Sequence, residues 1–436
     1  RHTRYISVTG VQTCALPIFN LSNEADAVYA AQFETMRDSG AAQRRTDAYR
    51  AFAARGLPNR RVESWHYTDL KAALTKPAPL ATTHSVTHAL ARTHDAVRLV
   101  MVDGKLRPDL SDLDTLPAGV RVQCLQEALA SADPMVTATL WPDNADDAAI
   151  ALNGALMQNG LVVTVASGAE APRPLELITL VSGNEPQAVF TRSALIVGAG
   201  AHIRVIETHG VLDAGSEAAS LAGAQLNHVL TMRLDTDAKV DLLTHVAGFG
   251  ETSVSVVSLI AHLDARARLN AHQLIEGGGL LRRQIFAALD GEHAHAAFNG
   301  VTLARARQHA DTTLVVDHRQ PHGESHERFR TILDGQAVGV FQGKIIVRSA
   351  AQKTDGVMQS KAILLSDGAT MNNKPELEIF ADDVKCGHGA TCGRLDRDQL
   401  FYLMARGLPR GEAESLLLAA FANEAMAGIE IGRAHV

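Results

Sequence analysis

Four consecutive runs decide the fold: Gln225-Leu-Asn-His-Val-Leu-Thr-Met-Arg-Leu234, Lys239-Val-Asp-Leu-Leu-Thr-His-Val246, Thr252-Ser-Val-Ser-Val-Val-Ser-Leu-Ile260 and Arg266-Ala-Arg-Leu-Asn-Ala-His-Gln-Leu-Ile275. Each is short, rich in Val, Leu, Ile and Thr, and separated from the next by Asp, Gly or Ala. That texture predicts strands rather than helices. Similar runs recur from Leu161–Ala166 to Leu377–Ala381, about 15 of them. No long helical pattern interrupts them, so the chain does not alternate strand and helix. So many strands exceed one sandwich. They suit a solenoid in which each turn buries its face on the next. The expectation is a mostly β chain built on a parallel β-helix, with an antiparallel double sandwich as the alternative.

Outward from this core, both flanks read as helical. Asn20 to Leu57 carries a helical pattern with Ser22 as a cap, and Gly56 with Pro58 stops a second helix over Gln43–Arg55. Arg61-Val-Glu-Ser-Trp-His-Tyr-Thr-Asp-Leu70 reads as an ordered segment packed by Trp65 and Tyr67. Strands are expected at Val97–Val102 and Val120–Leu125, a short helix at Gln126–Ala132, and a helix from Ala145 to Gln158. At the far end Asp396 is placed to cap a helix over Arg397–Arg406, ended by Gly407 and Pro409, and a second helix runs from about Gly411 to Met426. The division is then a mixed helical domain over 19–150, the β-helix over 151–391 and a helical domain over 392–429. Residues 1–18 and 430–436 resemble translated adapter sequence, and Cys14 is given no function.

Composition narrows the function. Of 436 residues 46% are apolar, enough for a large core, and a net charge of −7 argues against nucleic-acid binding as the main purpose. No run is long and apolar enough to span a bilayer. Four cysteines in so long a chain are not a disulfide framework, so a reducing cytoplasm is expected. Cys124 reads as a small buried hydrophobe.

The best candidate for chemistry is Cys386-Gly387-His388. On an extended chain residues two apart share a face, so a thiolate and an imidazole project together. Both are ligands that iron and zinc accept. The pair does not complete a site, so another segment or subunit must supply the rest. Cys392 lies six residues on, and Asp382-Asp383 stands just before, where it would orient the histidine or repel anions. The plain alternative is a buried cysteine beside a hydrogen-bonded histidine. His318, His322 and His326 are spaced by four, but Pro321 and Gly323 argue against a helix, and a turn between strands explains them better. His293 and His295 would share one strand face. Gly339 to Lys344 is one residue short of a P-loop and lacks its hydroxyl. There is no G-x-S-x-G or H-E-x-x-H, so no catalytic residue is assigned.

Several ordered motifs carry a resemblance. They are Ala381-Asp-Asp-Val-Lys-Cys-Gly-His-Gly-Ala-Thr391, Gly393-Arg-Leu-Asp396, Leu400-Phe-Tyr-Leu-Met-Ala-Arg-Gly407, Glu63-Ser-Trp-His-Tyr-Thr-Asp-Leu70, Gln342-Gly-Lys344, Ala351-Gln-Lys-Thr-Asp355 and Leu364-Leu-Ser-Asp-Gly-Ala369. Over roughly residues 20 to 428 the chain resembles the SufB/SufD family of iron–sulfur cluster assembly scaffolds. Asp-Asp ahead of C-x-H-G-A-T favours its SufD side. The resemblance implies a right-handed parallel β-helix with helical flanks, and a non-catalytic subunit of a SufBCD complex. It implies pairing with SufB through the β-helix, and docking of the SufC ATPase on the C-terminal helices. It also implies that His388, with Cys386 beside it, faces a nascent Fe–S cluster shared transiently with SufB. Cys392 is not a family feature, and a flavin role is left open. Two readings stand against this: a structural partner of SufB without ligands of its own, and a β-helix enzyme acting on polysaccharide.

Overall fold

The computed structural model describes residues 24–82, 94–131, 133–142, 147–182, 185–212 and 223–427. The expected cap Ser22, Cys14 and the two adapter-like ends lie outside them. In it the β-rich runs stack as two sheets. One orders Val97–Val102, Leu175–Val181, His202–Val211, Lys239–Val246, Arg268–Glu276, His295–Ala304, Glu324–Leu333, Asp355–Leu364 and Lys385–Gly393, with the short Lys105–Leu106 at its start. The other orders Val120–Cys124, Leu161–Val165, Ala188–Val197, Gln225–Leu234, Val254–Leu263, Leu280–Leu289, His309–His318, Val338–Val347 and Thr370–Ile379. From Leu161 onward successive strands alternate between sheets, and they pair with one another in parallel; only the pairing of Leu161–Val165 back to Val120–Cys124 is antiparallel. The chain therefore winds as a parallel β-helix of about eight turns, and the sandwich alternative falls.

Register shows how a turn buries its face. Leu280 lies opposite His309, and His309 opposite Val338, so equivalent residues stack with a step of 29. Alternate side chains enter the lumen. There Leu230, Leu259, Ile285, Leu314 and Ile345 of one sheet meet Val205, Leu242, Leu269, Ala296 and Phe298 of the other in one core. No turn could bury this surface alone.

One corner repeats where no sequence repeat shows. Gly168, Gly200, Asp237, Arg266, His293, His322 and Lys353 all have φ between 57° and 70°. Each sends its N–H to a carbonyl of the next turn: Gly200 to Thr236, Asp237 to Ala265, Arg266 to Glu292, His293 to Pro321, and His322 to Gln352. Left-handed backbone at a residue with a Cβ costs about 1 kcal/mol, and the stacked hydrogen bonds offset it. His293 thus sits in a turn rather than sharing a strand face with His295, and its ring stacks on His322 at 4.6 Å.

The N-terminal helices Glu24–Met36 and Ala42–Arg55 pack with the helix Ala148–Leu156 on the outside of the second sheet. Tyr29, Phe33, Tyr49 and Phe52 meet Leu152, Phe190, Val254 and Val256 there. Buried arginines secure the layer by donating to backbone carbonyls in and after its helices. Arg192 donates to Leu140 O at 2.8 Å and Ile150 O at 3.1 Å, and Arg45 to Ala155 O and Met157 O. The 61–70 segment is anchored as expected: Trp65 is buried, donates to Asp147 at 2.8 Å and lies 3.8 Å under the Arg282 guanidinium. A helix over Pro134–Leu140, capped by Asp133, was not anticipated. Cys124 is half-buried at a helix N-cap rather than in the core.

At the other end Asp396 caps the helix Arg397–Ala405, accepting from the N–H groups of Asp398 and Gln399. The helix Arg410–Met426 returns along the outside of the first sheet, where Glu424 pairs with Arg330 at 2.7 Å. The run expected at Leu377–Ala381 is the tail of a ten-residue strand, Thr370–Ile379.

Candidate functional site

The last strand of each sheet has one neighbour and one open side. The two open sides differ. In Thr370–Ile379 the N–H of Thr370 points back to Ala337 O. Residues on a parallel strand alternate in the side to which they hydrogen-bond, so odd positions face outward. Pro375 falls at one of these and blunts that edge without losing a bond. In Lys385–Gly393 the N–H of Lys385 points back to Thr354 O, so Cys386, His388, Ala390 and Cys392 direct theirs to the open side. That strand contains no proline.

Side chains on this strand follow the turn beneath. Cys386 stands over Gly356, His388 over Met358, Ala390 over Ser360 and Cys392 over Ala362. Met358 and Ala362 are buried lumen residues, so the four above them face the open mouth of the β-helix. Cys386 packs partly on the core while His388 is exposed. Their Cα atoms are about 6.6 Å apart at strand spacing, close enough for one cation. Cys392 shares the face but lies about 20 Å from Cys386, too far to join the pair.

Below the thiol the lumen turns polar. Cys386 Sγ and Ser325 Oγ both border Gly356, where an added Cβ would lie 3.6 Å and 3.5 Å from them. Ser325 Oγ in turn lies 3.0 Å from Nε2 of the buried His318. Glu327, below Met358 in the His388 column, is buried with neither oxygen hydrogen-bonded. Burial pushes its pKa up to about 8. Burial also raises the Cys386 thiol, with the charges of Asp355 and Glu327 adding to it. The resting group is therefore a thiol, and cation binding must displace its proton.

The acidic pair does not serve the histidine. Asp383 pairs with Lys353, accepts the Lys353 N–H at its carbonyl, and donates its own N–H to Gln352 Oε1 at 3.0 Å. Asp382 is exposed. The three histidines spaced by four diverge: His318 enters the lumen, His322 forms the corner, and His326 approaches His295 on the outer face at 5.9 Å between rings. Two features escaped sequence reasoning: Glu327, and a buried cluster of Glu207, His209 and His228. Both lie in runs where polar and apolar residues alternate, and composition does not say which alternate faces inward.

The solenoid thus ends in a mouth where polar groups stand on an unpaired strand. Comparison with known proteins gives its family. Residues 179–421 match the family described as SUF system FeS cluster assembly, SufBD core domain, and residues 23–177 match the SufBD protein N-terminal region. The chain is 32% identical over 379 residues to the iron–sulfur cluster assembly protein SufD of Escherichia coli, covering 85% of this chain and 84% of that one. It is 29% identical to a SufBD family protein of Synechocystis sp., covering 84% and 83%, and 32% identical to SufD of Bacillus subtilis over 30% of each. The chain belongs to the SufB/SufD family of Fe–S cluster assembly proteins and is SufD-like within it. No helix among the described residues is long and apolar enough to cross a membrane.

Proposed function

We propose that this chain is the non-catalytic SufD-type scaffold of a cytoplasmic SufBCD complex, and that Cys386 and His388 form its half of a nascent cluster site. The observation that carries this is the strand Lys385–Gly393, which has one free edge and sets a thiol and an imidazole on the same face at the lumen mouth. A SufB strand added along that edge would cover the pair and contribute the remaining ligands. The ligand set here is incomplete by design on this reading, and the cluster is shared and transient.

SufC docks on the C-terminal helices. Phe401, Tyr402, Met404 and Leu416 are large apolar residues left exposed there, which supports a partner surface. ATP hydrolysis then belongs to SufC. The division into an N-terminal helical domain, a β-helix core and a C-terminal helical domain gives each partner its own part of the chain.

The experiment is His388→Ala and Cys386→Ser, each co-expressed with SufB and SufC and purified anaerobically. Iron and sulfide per complex should fall at least about fivefold, by the loss of a ligand from an already sparse site. An unchanged content with an intact complex would leave a purely structural partner.

A further inference from the structure

A second constellation lies deep in the lumen, well away from the open mouth. Glu207 and His209 enter the lumen from the strand His202–Val211, and His228 enters from Gln225–Leu234. Apolar layers enclose them: Leu230, Leu242 and Val205 on one side, and Val181, Leu226 and Val246 on the other. All three are buried. Glu207 Oε1 lies 2.9 Å from His228 Nε2 and 3.3 Å from His209 Nε2. Despite those separations, none of the three atoms meets another in hydrogen-bond geometry. The three ligand atoms lie within 4.8 Å of one another.

The surroundings orient them. Thr191 Oγ1 holds His228 Nδ1 at 2.7 Å, which leaves Nε2 as the free nitrogen. Thr244 donates to Glu207 Oε2 at 3.0 Å, which leaves Oε1. Arg283 donates to the same Thr244 at 3.2 Å and stands 3.9 Å from Glu207, with its Nε and Nη1 unpartnered. Outer partners of this kind fix ligand rotamer and tautomer in metal sites. Ligands at about 2.1 Å around a tetrahedral ion sit about 3.4 Å from each other, close to the Glu207–His209 separation.

We infer that Glu207 Oε1, His209 Nε2 and His228 Nε2 form an intraluminal site for a divalent first-row metal ion. Two imidazoles and one carboxylate with a position left open are a donor set for Fe(II), and Zn(II) shares it. The Arg283 N–H groups would receive a water or hydroxide on the open position. Because the site is enclosed, the ion enters as the turns close rather than by diffusion into the finished lumen.

The test uses the full chain, purified anaerobically and analysed by elemental mass spectrometry, and separately refolded with Co(II) as a spectroscopic probe. Three proteins are compared: the wild type, a His209→Asn/His228→Asn double variant, and a Cys386→Ser/His388→Ala double variant. Circular dichroism checks the fold, and Glu207→Gln serves if the histidine variant does not fold. Wild type and the mouth variant should each hold about one equivalent of Fe or Zn, with Co(II) d–d absorption, and the histidine variant under about a tenth. Which element is found separates iron from zinc. A metal-free wild type with no Co(II) absorption overturns the site, as does metal retained by the histidine variant. Because the mouth variant is scored separately, failure here is distinct from failure of the cluster half-site.

Discussion

Glu327 carries a carboxyl into the lumen where neither oxygen is hydrogen-bonded, and its pKa rises to about 8. The folded chain therefore holds this proton more tightly than the unfolded one, whose glutamate titrates near 4.5. The resulting stabilisation is fully present below about pH 4.5 and is lost as pH rises through about 8. The full span is on the order of 5 kcal/mol. Urea midpoints of the wild type should fall between about pH 5 and about pH 8, and those of Glu327→Gln should fall markedly less over the same window. Equal slopes would show that Glu327 is not the titrating group. Once ionised, the same carboxyl raises the Cys386 thiol, so Glu327→Gln should speed alkylation of Cys386 above about pH 8 and leave it little changed at neutral pH, where Glu327 is mostly protonated.

At the scale of the element, the strand Lys385–Gly393 is an edge left unguarded. Long edges normally carry Pro, charge or a bulge against stray pairing. Pro375 guards the other sheet, while this strand carries Gly387, Gly389 and Gly393, and at all three nothing lies within 4 Å of where a Cβ would be. Packing within the chain does not demand those glycines. A smooth, unprotected edge is what strand addition needs. Ala390→Pro tests this, because that N–H points to the open side and its loss breaks no ladder bond. The variant should keep its thermal stability within about 1 kcal/mol yet lose SufB on co-purification. Retention of SufB would place the pairing elsewhere.

At the scale of the whole molecule, a solenoid is held by nearest-neighbour stacking, so its end turns open before its middle. At the N-terminal end Leu106, Leu113 and Leu116 pack on the lumen core, while the last strand at the C-terminal mouth is largely exposed. Amide exchange should therefore be fastest in Thr370–Ile379 and Lys385–Gly393 and slowest near Gln225–Leu263. SufB should protect the last strand selectively. Uniform exchange along the stack would contradict the end-fraying picture.

Much of this architecture was legible before any coordinates. Short β-rich runs without intervening helices have few ways to bury their faces, so stacked parallel turns followed from the runs around Gln225–Ile275. The pairing of Cys386 with His388 followed from the two-residue period of a strand, and the cap at Asp396 from local backbone chemistry. Three-dimensional winding decided the rest. The corner column Asp237, Arg266, His293, His322, Lys353 uses left-handed backbone at residues that do not advertise it, because a hydrogen bond donated to a carbonyl of the next turn, rather than a glycine, stabilises each one. Whether an alternating polar residue enters the lumen depends on register between strands about 29 residues apart, which local pattern does not encode. That register is why Glu327 came to lie beneath His388, and Glu207 beside His209 and His228. The sequence alone determined the strands and that Cys386 and His388 share one face of the last of them. Only the stacking decided which side chains share the lumen, because burial there is a property of neighbouring turns.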